Sequence, residues 1–288
     1  MNQISIGIIS YNEEKNIINL LNSINCQYLG NFFIKEILIS DDSNDKTPLL
    51  IKEFINKNPQ LTIKLFHHDK RRGASAGWNE IFKEATSEYL VLYDADVILE
   101  QKTTYNLVSA FSLYVGLCSS NPRPLQYSSI YGKASHFITN WLHNVRKTEL
   151  TQFTVMGRGL AITSELAKKI TIPENIIAID YFLQIKVLGL QKQVIYVNKA
   201  KLYFKPPENL EDFLSQVLRA NIGHKQLSFY KTKKLSIISN IKITLKSILS
   251  DPVGGLATLY CYCFIPYYQI RNQNKISSKW EIAQSTKS

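Results

Sequence analysis

The first hundred residues alternate between two hydrophobic rhythms. Apolar-rich runs fall at residues 4–10, 34–40, 62–67 and 89–93. Short runs of this kind, bounded by polar segments, read as strands, and Tyr89–Tyr93 reads as a buried one. Between them the spacing becomes helical: Ile17, Leu20, Leu21 and Ile24 stand at i, i+3, i+4 and i+7, and Leu49, Leu50, Ile51, Phe54 and Ile55 lie in a second such segment. Strand, helix, strand, helix predicts an α/β fold with a mostly parallel central sheet flanked by crossover helices. Ligands of such sheets gather at the carboxyl ends of the strands. Here those ends read Ser10-Tyr11-Asn12-Glu13, Asp41-Asp42-Ser43, His68-Asp69-Lys70-Arg71-Arg72-Gly73 and Asp94-Ala95-Asp96. Acidic and basic groups are therefore expected on one rim.

Beyond residue 122 the pattern loosens. Residues 133–147 predict a helix, 159–163 a short strand, and 177–188 a helix holding Asp180. Two strand-like runs follow, 193–197 and 201–204, before Pro206-Pro207 closes the segment. Leu210, Phe213, Leu214, Val217, Leu218 and Ile222 make one helical stripe, with Asp212, Gln216, Arg219 and Gly223 on its other side. Residues 1–207 are thus expected as a catalytic unit, in halves 1–122 and 123–207, and 208–288 as a helical C-terminal region.

Within that region, Ile238, Ile241, Leu245, Ile248 and Leu249 share one face, with Lys242 and Lys246 off it. Residues 252–270 then run 19 positions without a charge, about 28 Å as one helix and near the lower limit for a bilayer span. Gly254-Gly255 and Pro266 interrupt the run, and Tyr260, Tyr262, Tyr267 and Tyr268 favour an interface over a hydrocarbon centre. Monotopic membrane association is expected; a dimer interface or packing on the catalytic unit is the competing outcome. Charge points the same way. The chain carries a net +11, but residues 1–198 hold 20 Lys/Arg against 18 Asp/Glu, and residues 199–288 hold 14 against 5. Basic and apolar character in one segment implies an anionic membrane surface rather than a nucleic acid. The N-terminus has no basic-then-apolar leader pattern. Cys26, Cys118, Cys261 and Cys263 match no zinc spacing, and read as apolar fillers in a reducing compartment. The expected location is the cytoplasmic face of the plasma membrane, peripherally bound.

Two nucleotide motifs are absent. No glycine-rich turn follows the first strand, and Gly73-Ala74-Ser75-Ala76-Gly77 lacks the Lys-Ser/Thr of a phosphate-binding loop. Asp94-Ala95-Asp96 leaves three readings: a solvated strand-end turn, a cation bridging carboxylates to a diphosphate, or the nucleophile of haloacid-dehalogenase-like phosphatases. Such phosphatases carry this string on the first strand, whereas three strands and Asp41-Asp42 precede it here. Mg²⁺ or Mn²⁺ needs only one or two carboxylates besides substrate phosphates. His136 and His143, seven apart, have no third ligand at metal spacing and read as structural or surface histidines.

Four segments together resemble the family-2 glycosyltransferases of GT-A fold. They are Ile6-Gly7-Ile8-Ile9-Ser10-Tyr11-Asn12-Glu13-Glu14, Ile39-Ser40-Asp41-Asp42-Ser43-Asn44-Asp45-Lys46-Thr47, Arg72-Gly73 with Asn79, and Tyr93-Asp94-Ala95-Asp96. The match spans the first hundred residues in order and continues more weakly to residue 225. The resemblance implies that Ser10, Tyr11 and Glu13 border a nucleotide and that Asp42, beside Asp41, accepts from its base. Arg71 or Arg72 then reaches the phosphates, Asp94 lies near ribose and metal, and Asp96 is the main metal ligand. A carboxylate suits a base N–H, and a guanidinium suits phosphate.

Asp180 stands where the family places its catalytic base, although Ile179 replaces the first acid of the usual Glu-Asp pair. In an inverting transfer it takes the proton of the acceptor hydroxyl; helix capping is its structural alternative. Gln216 and Arg219 resemble a weakened QxxRW motif, with Ala220 in place of Trp, and reach toward acceptor or diphosphate. The implied activity is metal-dependent transfer from a nucleoside-diphosphate-sugar to a glycan or lipid-linked acceptor. Transfer to a polyprenyl phosphate is the nearest variant, and a catalytically silent nucleotide-sugar-binding protein is the rival.

Overall fold

The apolar runs pair edge to edge in a computed structural model that describes residues 2–148, 150–230, 235–272 and 284–287. The first half is β1 (Asn2–Ser10), α1 (Ile17–Asn25), β2 (Phe32–Asp41), α2 (Thr47–Lys57), β3 (Ile63–His67), α3 (Ala74–Glu84) and β4 (Tyr89–Asp94). Then come β5 (Val97–Leu99), α4 (Thr103–Val108), β6 (Val115–Pro124), α5 (Ile130–Arg146), β7 (Gly159–Thr163), α6 (Ser164–Lys168), α7 (Ile179–Gly189) and β8 (Gln193–Phe204). Four helices follow: α8 (Leu210–Gln226), α9 (Ile237–Ser250), α10 (Pro252–Cys263) and α11 (Ile265–Asn272). The tail predicted as helical also includes 231–234, 273–283 and 288, which lie outside the described residues.

One eight-stranded sheet runs β3-β2-β1-β4-β7-β6-β8-β5. Its first half is parallel, as predicted: β1 pairs β2 and β4, and β2 pairs β3. The prediction of a mostly parallel sheet fails at β7, which enters from the opposite end and runs antiparallel to both β4 and β6. β8 is parallel to β6, and β5 antiparallel to β8, so the sheet is mixed. It is also curled. In a flat sheet β5 would stand four strand spacings from β4, roughly 19 Å. Only Ala95 and Asp96 separate the two strands, and three residue steps reach at most about 11 Å. The far edge must therefore bend back toward β4, which places Asp94-Ala95-Asp96 on the lip of the curl.

Helices cover both faces. Ile6, Ile8, Leu20, Leu21, Ile39 and Val91 belong to one core; Leu38, Trp78, Leu92, Leu160, Phe182 and Leu183 belong to the other. Toward the amino ends of the parallel strands, Glu36 ties the layers together: its carboxylate accepts from Ser5 Oγ (2.8 Å), Thr86 N (2.8 Å) and Thr86 Oγ1 (2.7 Å) and pairs Lys64 Nζ (2.9 Å). Burial alone would raise the Glu36 carboxyl, but these partners draw it down to about 2.

Other expectations shift. The runs at 193–197 and 201–204 are one strand, because the polar stretch between them is absorbed as a register shift opposite Ser119 and Asn121. Residues 252–270 break at Phe264 into α10 and α11. β6 gave no strand signal, since Ser119, Ser120 and Asn121 are polar, yet all three are buried. Cys118 and Cys261 are buried fillers, whereas Cys26 and Cys263 are exposed.

Candidate active site

The register of the parallel strands sets the first part of the site. Ser10 lies opposite Asp41, Asp41 opposite His67, and Ile9 opposite Asp94. The paired ends are fastened by side chains. Asp41, fully buried, accepts from Ser10 Oγ (2.6 Å) and Ser43 Oγ (2.5 Å), and its second oxygen lies 2.8 Å from His67 Nδ1. Asp42 accepts from the Arg72 amide (2.6 Å), the Gly73 amide (2.9 Å) and Arg72 Nε (3.2 Å). Gly73, at φ 96°, occupies the left-handed region and lets the chain turn from Asp42 into α3.

This geometry separates the two candidate arginines. Arg72 is turned into the protein, where it also donates to Glu80 Oε2 (2.9 Å) and Ser40 Oγ (2.9 Å). Arg71 lies across the Tyr11 ring, 4.1 Å from its centroid. Arg71 is thus the one placed at the first-strand loop with a sequence-predicted donor contact. Glu13 is buried, accepts from Asn16 Nδ2 (2.8 Å) and donates its amide to Thr47 Oγ1 (2.8 Å). Asn79 instead fastens α3 to the Ile172 backbone, by bonds of 2.8 and 2.9 Å.

The second part gathers on the lip. Asp94 closes β4, about 10 Å from the end of β2 by two strand spacings. Arg158, just before β7, pairs its guanidinium with Asp96 Oδ2 at 3.0 Å and stacks 4.0 Å over the Phe204 ring. Asp180 enters from α7 and Arg219 from α8. Enclosure by protein pushes the Asp94 carboxyl up to about 7; the charges of Asp96 and Asp180 push the same way, while Arg158 and Arg219 oppose them. Enclosure lowers the Arg219 pKa, with Asp94 and then Asp180 and Asp96 opposing that shift and Arg158 adding to it. Three carboxylates and two guanidinium groups, from β4, its following turn, β7, α7 and α8, therefore sense one another.

Asp180 is one position inside α7, whose cap residue is Ala178, and it accepts from the Tyr181 amide at 2.9 Å. Asp180 therefore does not cap α7, against the capping alternative; it lies in the first turn, with its carboxylate at the positive end of the helix. Gly157 lies against it: a Cβ there would stand 3.2 Å from Asp180 Cβ and 3.3 Å from Cγ. Behind it Arg146, 2% exposed, donates to Thr154 O at 2.7 Å. Burial draws the Arg146 pKa down to about 10, with Tyr196 and Asp180 opposing. His143 Nδ1 lies 2.6 Å from Tyr196 Oη, and burial, with Arg123, Lys147 and Arg146, pulls His143 down to about 4. It is neutral at neutral pH and structural, as expected. His136 lies beside Asn140 and 3.5 Å from Asp251. Among the described residues no cluster of three or more His, Cys, Asp or Glu forms a metal cage.

Arg158 and Arg146 were not read from the sequence. Neither belongs to a spaced motif; Gly157-Arg158-Gly159 is the nearest signal, since glycines on both sides let backbone approach Asp180 and Ser120. Gln216 is half-buried three residues before Arg219 on α8.

Residues 5–164, more than half the chain, match the family model for glycosyl transferase family 2. The chain belongs to glycosyltransferase family 2. This enzyme is 27% identical over 249 residues to the poly-beta-1,6-N-acetyl-D-glucosamine synthase of Staphylococcus epidermidis, covering 81% of its own chain and 59% of that protein. The chain thus spans about three fifths of that relative's length. Among solved structures it is similar to the mannosyltransferase PcManGT from Pyrobaculum calidifontis in complex with GDP-Man and Mn²⁺, with TM-score 0.63 and 18% identity over 94% of this chain and 81% of that one. Similarity to S. aureus TarS 1-349 in complex with UDP-GlcNAc has TM-score 0.54 and 18% identity, over 95% and 74% of the two chains. The curled mixed sheet with flanking helices is the fold these neighbours share. The phosphatase alternative is overturned by the family match.

Proposed function

We infer that this glycosyltransferase moves a sugar from a nucleoside-diphosphate donor to a glycan or lipid-linked acceptor, with inversion at the anomeric carbon. The observation that carries the reading is that Asp94 and Asp96, at and just past the carboxyl end of β4, feel Asp180 of α7, while the Arg71–Tyr11 stack stands just past the end of β1, the strand paired with β4. The donor nucleotide lies over Ser10, Tyr11 and Glu13, with Arg71 toward its phosphates. Asp41 and Asp42 hold the strand ends and the Arg72-Gly73 turn in place beneath it.

Asp94 and Asp96 suit Mg²⁺ or Mn²⁺. Two carboxylates are enough for these ions when substrate phosphates complete the shell. Enclosure by protein, with Asp96 and Asp180 adding to it, disfavours the charged form of Asp94, and a nearby dication favours that form. When bound, the cation offsets charge on the departing nucleoside diphosphate. Arg158 holds one oxygen of Asp96, and Arg219 adds a second positive group beside the diphosphate. Asp180, whose carboxylate accepts from the Tyr181 amide, takes the acceptor hydroxyl's proton as that oxygen attacks and the nucleoside diphosphate leaves, a single displacement that inverts the centre.

The named relative makes a poly-N-acetylglucosamine and one structural neighbour holds UDP-GlcNAc, which makes UDP-GlcNAc the first donor to test. Transfer to a polyprenyl phosphate is the second reading, favoured by exposed apolar residues on the C-terminal helices, which also favour work at the membrane surface. The test is thermal unfolding with Mn²⁺ and UDP-GlcNAc added singly and together, beside donor hydrolysis by the same protein. Each ligand is expected to strengthen the other's stabilisation, with UDP released. Independent, additive shifts and no hydrolysis across UDP-, GDP- and dTDP-sugars would overturn the reading.

A further inference from the structure

Two consecutive helices of the C-terminal region are built inside out. On α9, Thr244 and Ser247 turn toward the body: Trp141 Nε1 of α5 donates to Thr244 Oγ1 at 3.0 Å, and Ser247 is 2% exposed beside Asn144. The large apolar side chains point away. Ile238 is 68% exposed, Leu249 83%, and Ile241 and Leu245 more than half. On α10 the buried residues are Gly254, Ala257, Thr258 and Cys261, packed near Ala134 of α5, while Val253, Leu256 and Leu259 face outward. Proteins in water turn amphipathic helices the other way. Contiguous exposed apolar patches of this kind mark an interaction surface.

Charge identifies the partner. Lys242 and Lys246, both exposed, border the apolar arc of α9 on one side. Lys231, Lys233 and Lys234 immediately precede the helix in the chain, and Arg271 stands near the end of α11. Between Ser236 and Arg271 the one acidic side chain is Asp251, which caps α10 by accepting from the Gly254 amide and lies 3.5 Å from His136. A second copy of this chain would bring the same positive charge to the same surface, which disfavours self-association. An anionic bilayer matches both features, apolar depth and cationic margin.

Length selects the mode of contact. No single helix among the described residues is long and apolar enough to cross a membrane, and α9 meets the helical segment Pro252–Arg271 at 116°. The 14 residues of α9 reach about 21 Å, short of the roughly 30 Å hydrocarbon core. We propose that α9 and α10 form a bent interfacial platform that lies in one leaflet of an anionic bilayer. The platform rests on the membrane-surface reading above and deepens it. The far side of its support carries the site: α10 packs on α8 through Phe213, Leu214, Ala257 and Cys261, and α8 presents Arg219 to the carboxylates. Seated this way, the acceptor side of the cleft stands about one helix diameter above the membrane. A membrane-tethered acceptor is the class this placement suits.

Flotation of the full chain with vesicles tests the platform. Vesicles of equal parts phosphatidylcholine and phosphatidylglycerol are expected to carry the protein, and phosphatidylcholine alone far less. Replacing Ile241 and Leu245 by Asn is expected to weaken binding about tenfold or more. Lys242→Gln with Lys246→Gln is expected to cost about fivefold per lysine, an effect that salt mimics in the parent protein. These positions are exposed, and UDP-GlcNAc binding measured on the same preparations is expected to stay unchanged, which keeps failure of the platform distinct from failure of the transferase. A protein that remains in the aqueous fraction overturns the platform. So does a concentration-dependent dimer that the Ile241 and Leu245 substitutions dissociate, since the face would then be a self-interface.

Discussion

The two parts of the site solve opposite problems. Around Asp41, Asp42 and Arg72 most hydrogen-bonding groups are already matched to partners in the protein: three strand ends, one turn and α3 are joined by Ser10, Ser43, His67, Glu80 and two backbone amides. Around Asp94 enclosure by protein instead pushes the carboxyl up to about 7; Asp96 and Asp180 add to that push, and Arg158 and Arg219 offset part of it. The first part is a scaffold that holds its shape without ligand. The second holds an enclosed carboxylate whose charged form is disfavoured, and on the proposed reading a bound cation would relieve it. Rigid support beside an electrostatically tense cluster is the arrangement expected where binding energy is directed at one reacting bond.

The largest predicted effect breaks the tense part alone. Asp180→Asn preserves shape and removes the base, so transfer is expected to fall roughly 10³-fold while donor affinity stays within about twofold. Turnover and UDP-GlcNAc affinity measured on one preparation check this; unchanged turnover would remove Asp180 from the chemistry.

The next effect sharpens the comparison through pH. The Glu36 carboxyl is depressed to about 2 in the folded protein, so the stability it contributes is present above its unfolded value near 4.5 and lost as pH falls toward 2, on the order of 3 kcal/mol. The Asp94 carboxyl is raised to about 7, and the sign reverses: without ligand, stability declines as pH rises from about 4 toward 7. Urea unfolding across that range is expected to show a maximum near pH 4 to 5. Glu36→Gln should flatten the acid limb only, and UDP with Mn²⁺ the neutral limb only.

The smallest effect loosens the scaffold. Arg72→Ala leaves Asp42 and Glu80 without their shared cation, at a cost of about 2 kcal/mol once the partial exposure of the pair is discounted. Denaturant unfolding measures it. A mutant as stable as the parent would mean that Arg72 serves the ligand instead of the fold.

Periodicity was enough to place the parallel half of the sheet, two of its three crossover helices and the strand ends that carry Ser10, Asp41, Asp42 and Asp94. The reason is local: a doubly buried strand and an amphipathic helix each write their burial into consecutive residues. The motif order along those ends also sufficed for the family. Tertiary structure alone decided the rest. Arg71 and Arg72 are adjacent and identical in type, and only the position of Glu80 and Asp42 tells which one turns inward. Arg158 meets Asp96 across 62 residues, a contact no local pattern encodes. β6 is a strand despite buried serines because its neighbours on both sides supply the ladder. For α9 the stripe was visible in sequence, but a stripe does not say which side faces the protein; packing on α5 showed that the apolar side faces out. Local chemistry determines which residues form an element, and only the assembled chain determines what each face of it meets.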